Sequence, residues 1–214
     1  MCLLLETIRY CNGLFDNLDL HVRRMNISRY EVYGNEIPAL SLAGELEKFV
    51  ADKILNKNSV YKIRVIYGKE IEKIEISPYK PPEINSLKTV YNDVIDYHLK
   101  YSDRGHIEKL KTFKENNDDI LIIKQGFVTD TSFANILFFN GKRWITPHAP
   151  LLKGTRRLQL LQNETVATAE IRVADLKYFK KARLVNAMIR FEDEIDVKEI
   201  KLHEGKIWSN GSIK

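Results

Sequence analysis

The stretch from residue 120 to residue 161 constrains the fold most, because β-rich runs, turn signals and a helical pattern follow one another within it. Two apolar runs flank Gln125-Gly126, and they predict two neighbouring strands. Asn140-Gly141 separates two further β-rich runs, and it favours a hairpin because this dipeptide tolerates the positive φ of a tight turn. Leucines at helical spacing follow Lys153-Gly154-Thr155, and they predict a helix. The stretch therefore predicts a sheet that leads into a helix begun by glycine.

The start of that helix is a candidate site for an anion. Backbone N–H groups and the positive end of the helix dipole meet there, so Gly154, Thr155 and Arg156 could bind a phosphate. On these residues alone, a solvated turn whose arginine faces water is the simpler interpretation. Asp130 and Asn135 add polar side chains near one end of the preceding strands, although Asp130 also suits a turn residue that caps its own backbone. The residues alone leave these alternatives open.

The composition is that of an ordinary globular protein. The 214 residues suffice for one or two domains, and 44% of them are hydrophobic and 29% charged. The net charge of +5 is spread along the chain without a basic stripe between aromatic residues, so we expect no nucleic-acid partner. No run is long enough to span a bilayer and no signal peptide is recognisable, so we expect a cytoplasmic protein without membrane contact. Cys2 and Cys11 predict reduced thiols, and neither a disulfide framework nor a metal site.

Local patterns divide the chain into an N-terminal and a C-terminal part. The N-terminal patterns predict a strand, two helices and two further strands, at Leu3–Tyr10, Asn17–Arg29, Ser41–Ile54, Val60–Tyr67 and up to Ile76. Pro78, Pro81 and Pro82 favour a linker, since proline sustains neither a helix nor a central strand. We therefore predict a small α+β domain of residues 1–80, a linker of residues 81–88 and a larger domain of residues 89–214.

Three charged residues have plain explanations by spacing alone. The alternation of Val94–Lys100 predicts a strand, on which Lys100 would be a solvated surface charge. His21 and Arg24 share one face of the first predicted helix, where they would form a surface pair.

Spaced motifs run through the C-terminal part. They are Val128-Thr129-Asp130, Asn135, the Asn140-Gly141 hairpin, Thr146-Pro147 and Leu152-x-Gly154-x-x-Arg157-x-x-Leu160-Leu161. Their order and spacing resemble the V-T-E-x-x-x-x-N, hairpin, T-P and L-x-G-x-x-R-x-x-L-L pattern of the fold-type IV pyridoxal-phosphate enzymes. This class IV aminotransferase family includes the 4-amino-4-deoxychorismate lyases. The chain departs from the pattern at Asp130, where the family usually has glutamate, and at Arg156, where many members have threonine.

Upstream motifs extend the resemblance. Glu6-Thr7-Ile8-Arg9 and His21-x-x-Arg24 match the family patterns E-T-I-R and H-x-x-R. Tyr97, Lys100 and Arg104 match Y-x-x-K-x-x-x-R, whose lysine binds the cofactor in relatives. Lys88 is the alternative lysine, and it ranks well behind Lys100.

The resemblance implies an architecture and partners. It implies the α+β fold of the D-amino-acid aminotransferase-like enzymes, with two domains of which the larger, C-terminal one is β-barrel-like. Relatives usually begin with further residues that supply early strands, so the N-terminal part would be shortened here. The resemblance also implies a homodimer, a small-molecule amine substrate and the cofactor pyridoxal 5'-phosphate.

The resemblance assigns roles to the matching residues. Lys100 would bind the cofactor and carry protons, because burial beside a cationic ring keeps a lysine amine neutral. Asp130 would keep the ring nitrogen protonated, so that the ring accepts electrons. Arg24 would bind the phosphate with its fork, together with the backbone N–H groups of Thr155 and Arg156. The cofactor-binding set also contains Asn135, Gly154, Asn186 and Ala187, although a buried strand with an asparagine turn explains the last two equally well.

The function that the resemblance implies has close alternatives. The leading hypothesis is a 4-amino-4-deoxychorismate lyase of folate biosynthesis, in which Lys100 removes a proton and pyruvate leaves to give 4-aminobenzoate. The first alternative is an amino-acid aminotransferase of the branched-chain or D-amino-acid type, which would use the same lysine. The remote alternative is a non-catalytic homologue, and the shortened start and Asp130 motivate it.

Overall fold

The computed structural model describes residues 2–34, 36–51 and 53–214, which form two compact units. One unit contains the residues up to Pro81 together with Leu99–Asp103, and the other contains Pro82–His98 and Arg104–Lys214. Both units mix helices and strands, so the predicted α+β class is confirmed. The domain limits at residues 80 and 89 stay a prediction. No helix in this described part of the chain is long and apolar enough to cross a membrane.

The first unit is an antiparallel sheet with helices. Its strands are β1 Leu4–Cys11, β2 Leu14–Phe15, β3 Tyr61–Tyr67 and β4 Ile71–Pro78, and they pair in the order β2-β1-β3-β4. Its helices are α1 Leu18–Tyr33 and α2 Ala43–Ala51. Ile63, Val65 and Tyr67 are fully buried, because alternate residues of β3 point to the same face of the sheet. The opening strand, the first helix and the strand up to Tyr67 are therefore confirmed.

The returning segment Leu99–Asp103 completes the first unit. Leu99 packs into the core of this unit, to which β1, β3 and α1 also contribute. The backbone N–H of Leu5 donates a hydrogen bond to the carbonyl of Lys100 at 2.9 Å. The backbone of Lys100 is therefore held directly against β1.

The second unit is built on an extended mixed sheet. Its strands are β5 Ser86–Tyr91, β6 Asp119–Lys124, β7 Phe127–Thr131, β8 Asn135–Phe139, β9 Trp144–Pro147, β10 Val166–Ala169, β11 Lys181–Val185, β12 Asp196–Val197, β13 Glu199–Lys201, β14 Ile207–Ser209 and β15 Ser212–Ile213. They pair in the order β10-β9-β8-β7-β6-β5-β13-β14-β15, and β11 pairs with β8 and β12 off this path. Helix α3, Gly105–Lys111, connects the parallel strands β5 and β6, and helix α4, Thr155–Gln162, follows β9. Short 3-10 helices lie at Thr112–Lys114, Val173–Tyr178, Phe191–Asp193 and His203–Gly205.

Strand pairing in the second unit brings polar residues together. Asp130 on β7 pairs with Asn135 on β8, and Asn135 pairs in turn with Val185 on β11. All three are buried, and the next residues along the strands, Ile136 and Leu184, belong to the hydrophobic core. The sheet therefore places Asp130, Asn135 and the end of β11 next to one another.

The predicted hairpin at Asn140-Gly141 is confirmed, but its loop is longer than a tight turn. Phe139 pairs with Trp144, so four residues connect β8 and β9. Gly141 has a positive φ of 96°, whereas Asn140 uses its side chain, whose Oδ1 accepts the backbone N–H groups of Lys142 and Arg143. The asparagine therefore acts through an Asx-type turn.

The strand predicted over Val94–Lys100 is wrong. The segment is a loop, in which Asn92 Oδ1 accepts the N–H of Val94 and Asp96 Oδ1 accepts the N–H of His98. Ile95 is buried as the alternation predicted, but its carbonyl binds Lys124 Nζ at 2.7 Å and not a neighbouring strand. Local bonds between side chain and backbone compete with strand pairing here.

Candidate functional site

Glu6, His21 and Arg24 form a buried cluster in the first unit. Glu6 lies on β1, while His21 and Arg24 lie three residues apart on one face of α1. Arg24 donates from Nε to Glu6 Oε1 at 2.8 Å and from Nη2 to Oε2 at 2.5 Å. His21 Nδ1 lies 2.6 Å from the same Oε2. One carboxylate therefore binds both helix residues.

Neighbouring charge keeps Glu6 ionised in spite of its complete burial. Burial alone raises the pKa of Glu6, but the charge of Arg24 and the hydrogen bonds from His21 and Arg24 outweigh it and lower the pKa to about 2. An ionised carboxylate only accepts hydrogen bonds, so His21 Nδ1 carries the proton. Burial lowers the pKa of His21, and the charges of Arg24 and Lys100 lower it further, against the effect of Glu6. His21 is therefore neutral at pH 7.

Lys100, the predicted catalytic lysine, belongs to the same unit. Its side chain is half-buried, and its charge acts on His21. The side chain of Arg24 is 15% exposed, whereas those of Glu6 and His21 are buried. The structure thus places two predicted site residues, Lys100 and Arg24, around one buried histidine, and their roles stay a prediction.

Asp130 is a buried carboxylate where β7 meets β8. Asn135 Nδ2 donates to Asp130 Oδ1 at 2.7 Å, and the backbone N–H of Leu152 donates to Oδ2 at 2.9 Å. Asn135 Nδ2 also donates to the carbonyl of Leu152 at 2.9 Å. Asp130 and Asn135 therefore hold the loop that leads into α4.

The charge of Asp130 is finely balanced. Burial raises its pKa to about 6, although the hydrogen bonds from Leu152 and Asn135 and the charge of Arg157 oppose this. Asp130 is therefore largely ionised at pH 7. Since a carboxylate offers about four lone-pair positions, it can accept a further donor.

The start of α4 packs on the same pair of side chains. Gly154 is the N-cap residue, and the helix begins at Thr155. A Cβ on Gly154 would lie 2.1 Å from Asn135 Oδ1, so a larger residue requires Asn135 to move. Thr155 and Arg156 are buried, and Arg156 Nη1 donates to Gln159 Oε1 at 2.6 Å. The predicted residues Asp130, Asn135 and Gly154 are therefore in one cluster.

Asn186 caps a turn after β11. Its Oδ1 accepts the backbone N–H groups of Met188 and Ile189, each at 2.8 Å, and its Nδ2 donates to the carbonyl of Phe133 at 3.3 Å. Ala187 is half-buried beside it. These bonds match the asparagine-turn interpretation, and a cofactor role for Asn186 and Ala187 stays a prediction.

Lys88, the alternative lysine, forms an ion pair with Glu115. Glu115 is half exposed and also binds Lys201 at 2.8 Å. The contacts of Lys88 are therefore those of a surface ion-pair network.

Cys2 and Cys11 are both free thiols. Within the described residues, no group of three or more His, Cys, Asp or Glu side chains could hold a metal ion.

Glu6 and Arg157 were not among the predicted site residues. Arg157 is buried beside Asp130 and donates to Thr146 Oγ1 at 3.2 Å and to the carbonyl of Pro147 at 2.8 Å. In the sequence, Glu6 directly follows the apolar run Leu3-Leu4-Leu5, which indicates a buried strand. A charged residue in such a strand is almost always paired when it is buried, and this was the available signal for Glu6.

Comparisons with known proteins agree with the motifs. The family model described as amino-transferase class IV matches residues 3–191. An uncharacterized protein of Haemophilus influenzae is 35% identical over 185 residues, which cover 86% of this chain and 97% of that relative. A crystal structure from Haemophilus somnus 129PT, described as that of a candidate 4-amino-4-deoxychorismate lyase, is similar with a TM-score of 0.84 and 34% identity. The similarity covers 89% of this chain and 98% of that chain.

A more distant structure shares the fold alone. The pyridoxal-phosphate-bound form of a hypothetical aminotransferase from Mycobacterium tuberculosis has a TM-score of 0.71 and 14% identity, over 95% of this chain and 82% of that chain. The predicted resemblance to the fold-type IV pyridoxal-phosphate enzymes is thereby confirmed. Because the family model spans most of the sequence, the chain belongs to the amino-transferase class IV family.

Proposed function

We propose that this protein is a pyridoxal-phosphate-dependent enzyme that eliminates pyruvate from 4-amino-4-deoxychorismate to give 4-aminobenzoate. The observation that carries the choice of a lyase is the 34% identity, over nearly the whole of both chains, with the Haemophilus somnus protein described as a candidate lyase. We expect a cytoplasmic homodimer that acts on this small-molecule amine.

The residues present fit the cofactor chemically. Gly154 brings the start of α4 against Asn135 without an intervening side chain, and backbone N–H groups at a helix start suit a phosphate. Arg24 is a permanently charged fork held by Glu6, and arginine binds phosphate oxygens bidentately. Asp130 is a buried carboxylate that is largely ionised at pH 7, and an ionised carboxylate suits a protonated ring nitrogen. These observations support pyridoxal phosphate as the cofactor.

In this proposal, Lys100 moves the reacting proton. Pyridoxal phosphate, when bound, supplies an aldehyde that takes up an amine and a ring that accepts an electron pair. Lys100 would hold the cofactor through its side-chain amine, and the same amine would take the proton from the substrate carbon that bears the amino group. Pyruvate leaves as the substrate ring becomes aromatic, so one substrate gives two products and needs no acceptor.

The other proposed residues would bind the cofactor and fix its orientation. Asp130 keeps the ring nitrogen protonated, and Asn135 fixes the carboxylate of Asp130 at 2.7 Å. Arg24 and the backbone N–H groups of Thr155 and Arg156 bind the phosphate. Gly154, Asn186 and Ala187 would complete the cofactor-binding set.

An assay of products tests the proposed function. Purified protein with pyridoxal phosphate should convert 4-amino-4-deoxychorismate into equal amounts of 4-aminobenzoate and pyruvate without a ketoacid, and Lys100→Ala should lose at least a thousandfold in rate. Lys88→Ala is the matched control, because Lys88 has the contacts of a surface ion pair and should keep full activity. Turnover of an amino acid that requires 2-oxoglutarate would show an aminotransferase instead, and no turnover of any amine would favour the non-catalytic homologue.

A further inference from the structure

We infer that Glu6 is a positioning residue, which holds the guanidinium of Arg24 in the orientation that binds the cofactor phosphate. The inference rests on the proposed function, because it concerns the affinity for pyridoxal phosphate. It adds a fully buried residue that does not belong to the set predicted from the sequence.

The geometry of the Glu6–Arg24 contact fixes both the position and the plane of the guanidinium. Two bonds, of 2.8 Å from Nε and 2.5 Å from Nη2, join the two side chains in a fork. A fork of this kind removes the rotational freedom that a long arginine side chain otherwise has. Arg24 therefore presents a fixed edge, and Glu6 sets its direction.

Exposure within the cluster shows which side chain a ligand can reach. Glu6 is 0% and His21 is 1% exposed, whereas Arg24 is 15% exposed. An anion that comes from solvent therefore meets Arg24 before the two residues behind it. Glu6 and His21 act on such an anion through Arg24.

The charges of the cluster favour an anion. Before the cofactor binds, Glu6 is ionised and balances one of the two positive charges of Arg24 and Lys100, while His21 is neutral. One net positive charge remains. A neutral residue in place of Glu6 would make the net charge of the cluster more positive. The negative charge of Glu6 therefore does not itself attract phosphate.

The sign of this charge effect distinguishes a positioning role of Glu6 from a purely electrostatic role. If Glu6 acted only as a charge near the phosphate, its neutralisation would tighten the binding of pyridoxal phosphate. If Glu6 positions Arg24, its neutralisation weakens binding, because a glutamine cannot accept both arms of the fork. The two accounts predict opposite signs for the same substitution.

The test compares a ligand that carries the phosphate with one that lacks it. Apoprotein with Glu6→Gln is titrated with pyridoxal phosphate and with pyridoxal, and binding is followed by absorbance. We expect the dissociation constant of pyridoxal phosphate to rise about tenfold, as is common when an outer partner of a binding group is lost. The dissociation constant of pyridoxal should stay within about twofold, because pyridoxal offers Arg24 no phosphate.

A matched control and a second variant complete the design. Glu75→Gln removes a carboxylate that pairs with Arg64 at 3.2 Å in the same unit, but at a half-exposed position, and it should leave both dissociation constants unchanged. Arg24→Lys keeps the charge and loses the fork, so it should weaken pyridoxal phosphate but not pyridoxal. This variant keeps Glu6 in place and tests the fork even if Glu6→Gln does not fold.

Each outcome has a defined meaning. Unchanged or tighter binding of pyridoxal phosphate by Glu6→Gln would overturn the inference, and so would equal weakening of both ligands. Full affinity of Arg24→Lys for pyridoxal phosphate would also overturn it, since no fork would then be needed. Failure of the wild-type protein to bind pyridoxal phosphate would remove the proposed function and the inference together.

Discussion

Asp130 shows at the level of a single residue how burial and hydrogen bonding compete. Its carboxylate accepts bonds from Asn135 and from the backbone of Leu152, yet burial still raises its pKa to about 6. The aspartate stands where relatives usually have the longer glutamate. Here the shorter side chain joins Asn135 and the loop before α4, so one residue would serve both the loop and the proposed cofactor.

Asp130→Asn should change how stability depends on pH. The folded pKa lies above the ordinary value of 3.8, so the folded protein holds a proton between about pH 4 and 6 that the unfolded chain releases. Asp130 therefore makes the wild-type protein lose stability as the pH rises through this window, by up to about 3 kcal/mol, whereas an asparagine does not titrate. Urea unfolding of both apoproteins at pH 4 and pH 6 measures the effect. The free energy of unfolding of the wild-type protein, relative to that of Asp130→Asn, should be lower at pH 6 than at pH 4. An equal difference at both pH values would contradict this account.

Residue types and spacing predicted part of the candidate site. Asp130 and Asn135 lie on the adjacent strands β7 and β8, so their proximity followed from a local pattern. Gly154 follows β9, and its contact with Asn135 depends on the fold. The contact of Glu6 with His21 joins a strand to a helix fifteen residues later, and neither residue type specifies that geometry. His21 and Arg24 looked like a surface pair because helical spacing gives a shared face but does not say what that face meets.

At the level of elements, the start of α4 depends on a close approach. Gly154 has a φ of −65°, which any residue tolerates. A glycine is therefore needed at this position because there is no space for a side chain, and not because of its backbone conformation. Asn135 Oδ1 occupies the position that a side chain would need. The glycine therefore fixes the distance between α4 and β8.

Gly154→Ala should destabilise the protein by about 1–3 kcal/mol, the usual range for overpacking. Its new Cβ would displace Asn135 and so disturb the bond to Asp130. Gly44→Ala is the matched control, because Gly44 lies in α2 with nothing within 4 Å of a Cβ, and alanine should be neutral or stabilising there. Thermal unfolding of both variants provides the measurement. Equal melting temperatures for the two would show that Asn135 yields without cost.

Elements with local signals were the predictable ones. The hairpin of β8 and β9, helix α4 and the alternating strand β3 carry their turns and periodicity in the sequence. The loop over Val94–Lys100 carries a strand-like alternation as well, but Asx-type bonds at Asn92 and Asp96 hold it in another conformation. The alternation of apolar and polar residues indicates which side chains are buried. Whether the segment forms a strand also depends on a neighbouring strand with which it can pair, and the local pattern does not contain that information.

At the scale of the whole molecule, the first unit is assembled from two distant parts of the chain. Leu99–Asp103 returns to it, with Leu99 in its core and Lys100 bound through its backbone to Leu5. Proline-rich residues 78–82 mark one departure of the chain from this unit, but no local signal marks the return. The proposed catalytic lysine depends on this return.

A fragment of residues 1–81 should be less stable than the same fragment joined by a flexible linker to residues 98–104. The shorter fragment lacks Leu99, and an unfilled core position of this size typically costs about 2–5 kcal/mol. Thermal unfolding followed by circular dichroism compares the two fragments. Identical melting temperatures would mean that the returning segment adds nothing to the core.

The central claim is that Lys100 carries the cofactor, and covalent labelling tests it most directly. Protein saturated with pyridoxal phosphate is reduced with borohydride, digested and analysed by mass spectrometry. The account predicts a single modified peptide that carries pyridoxal phosphate on Lys100, and no such label in Lys100→Ala. A label on Lys88 or another lysine, or no label at all, would contradict the account.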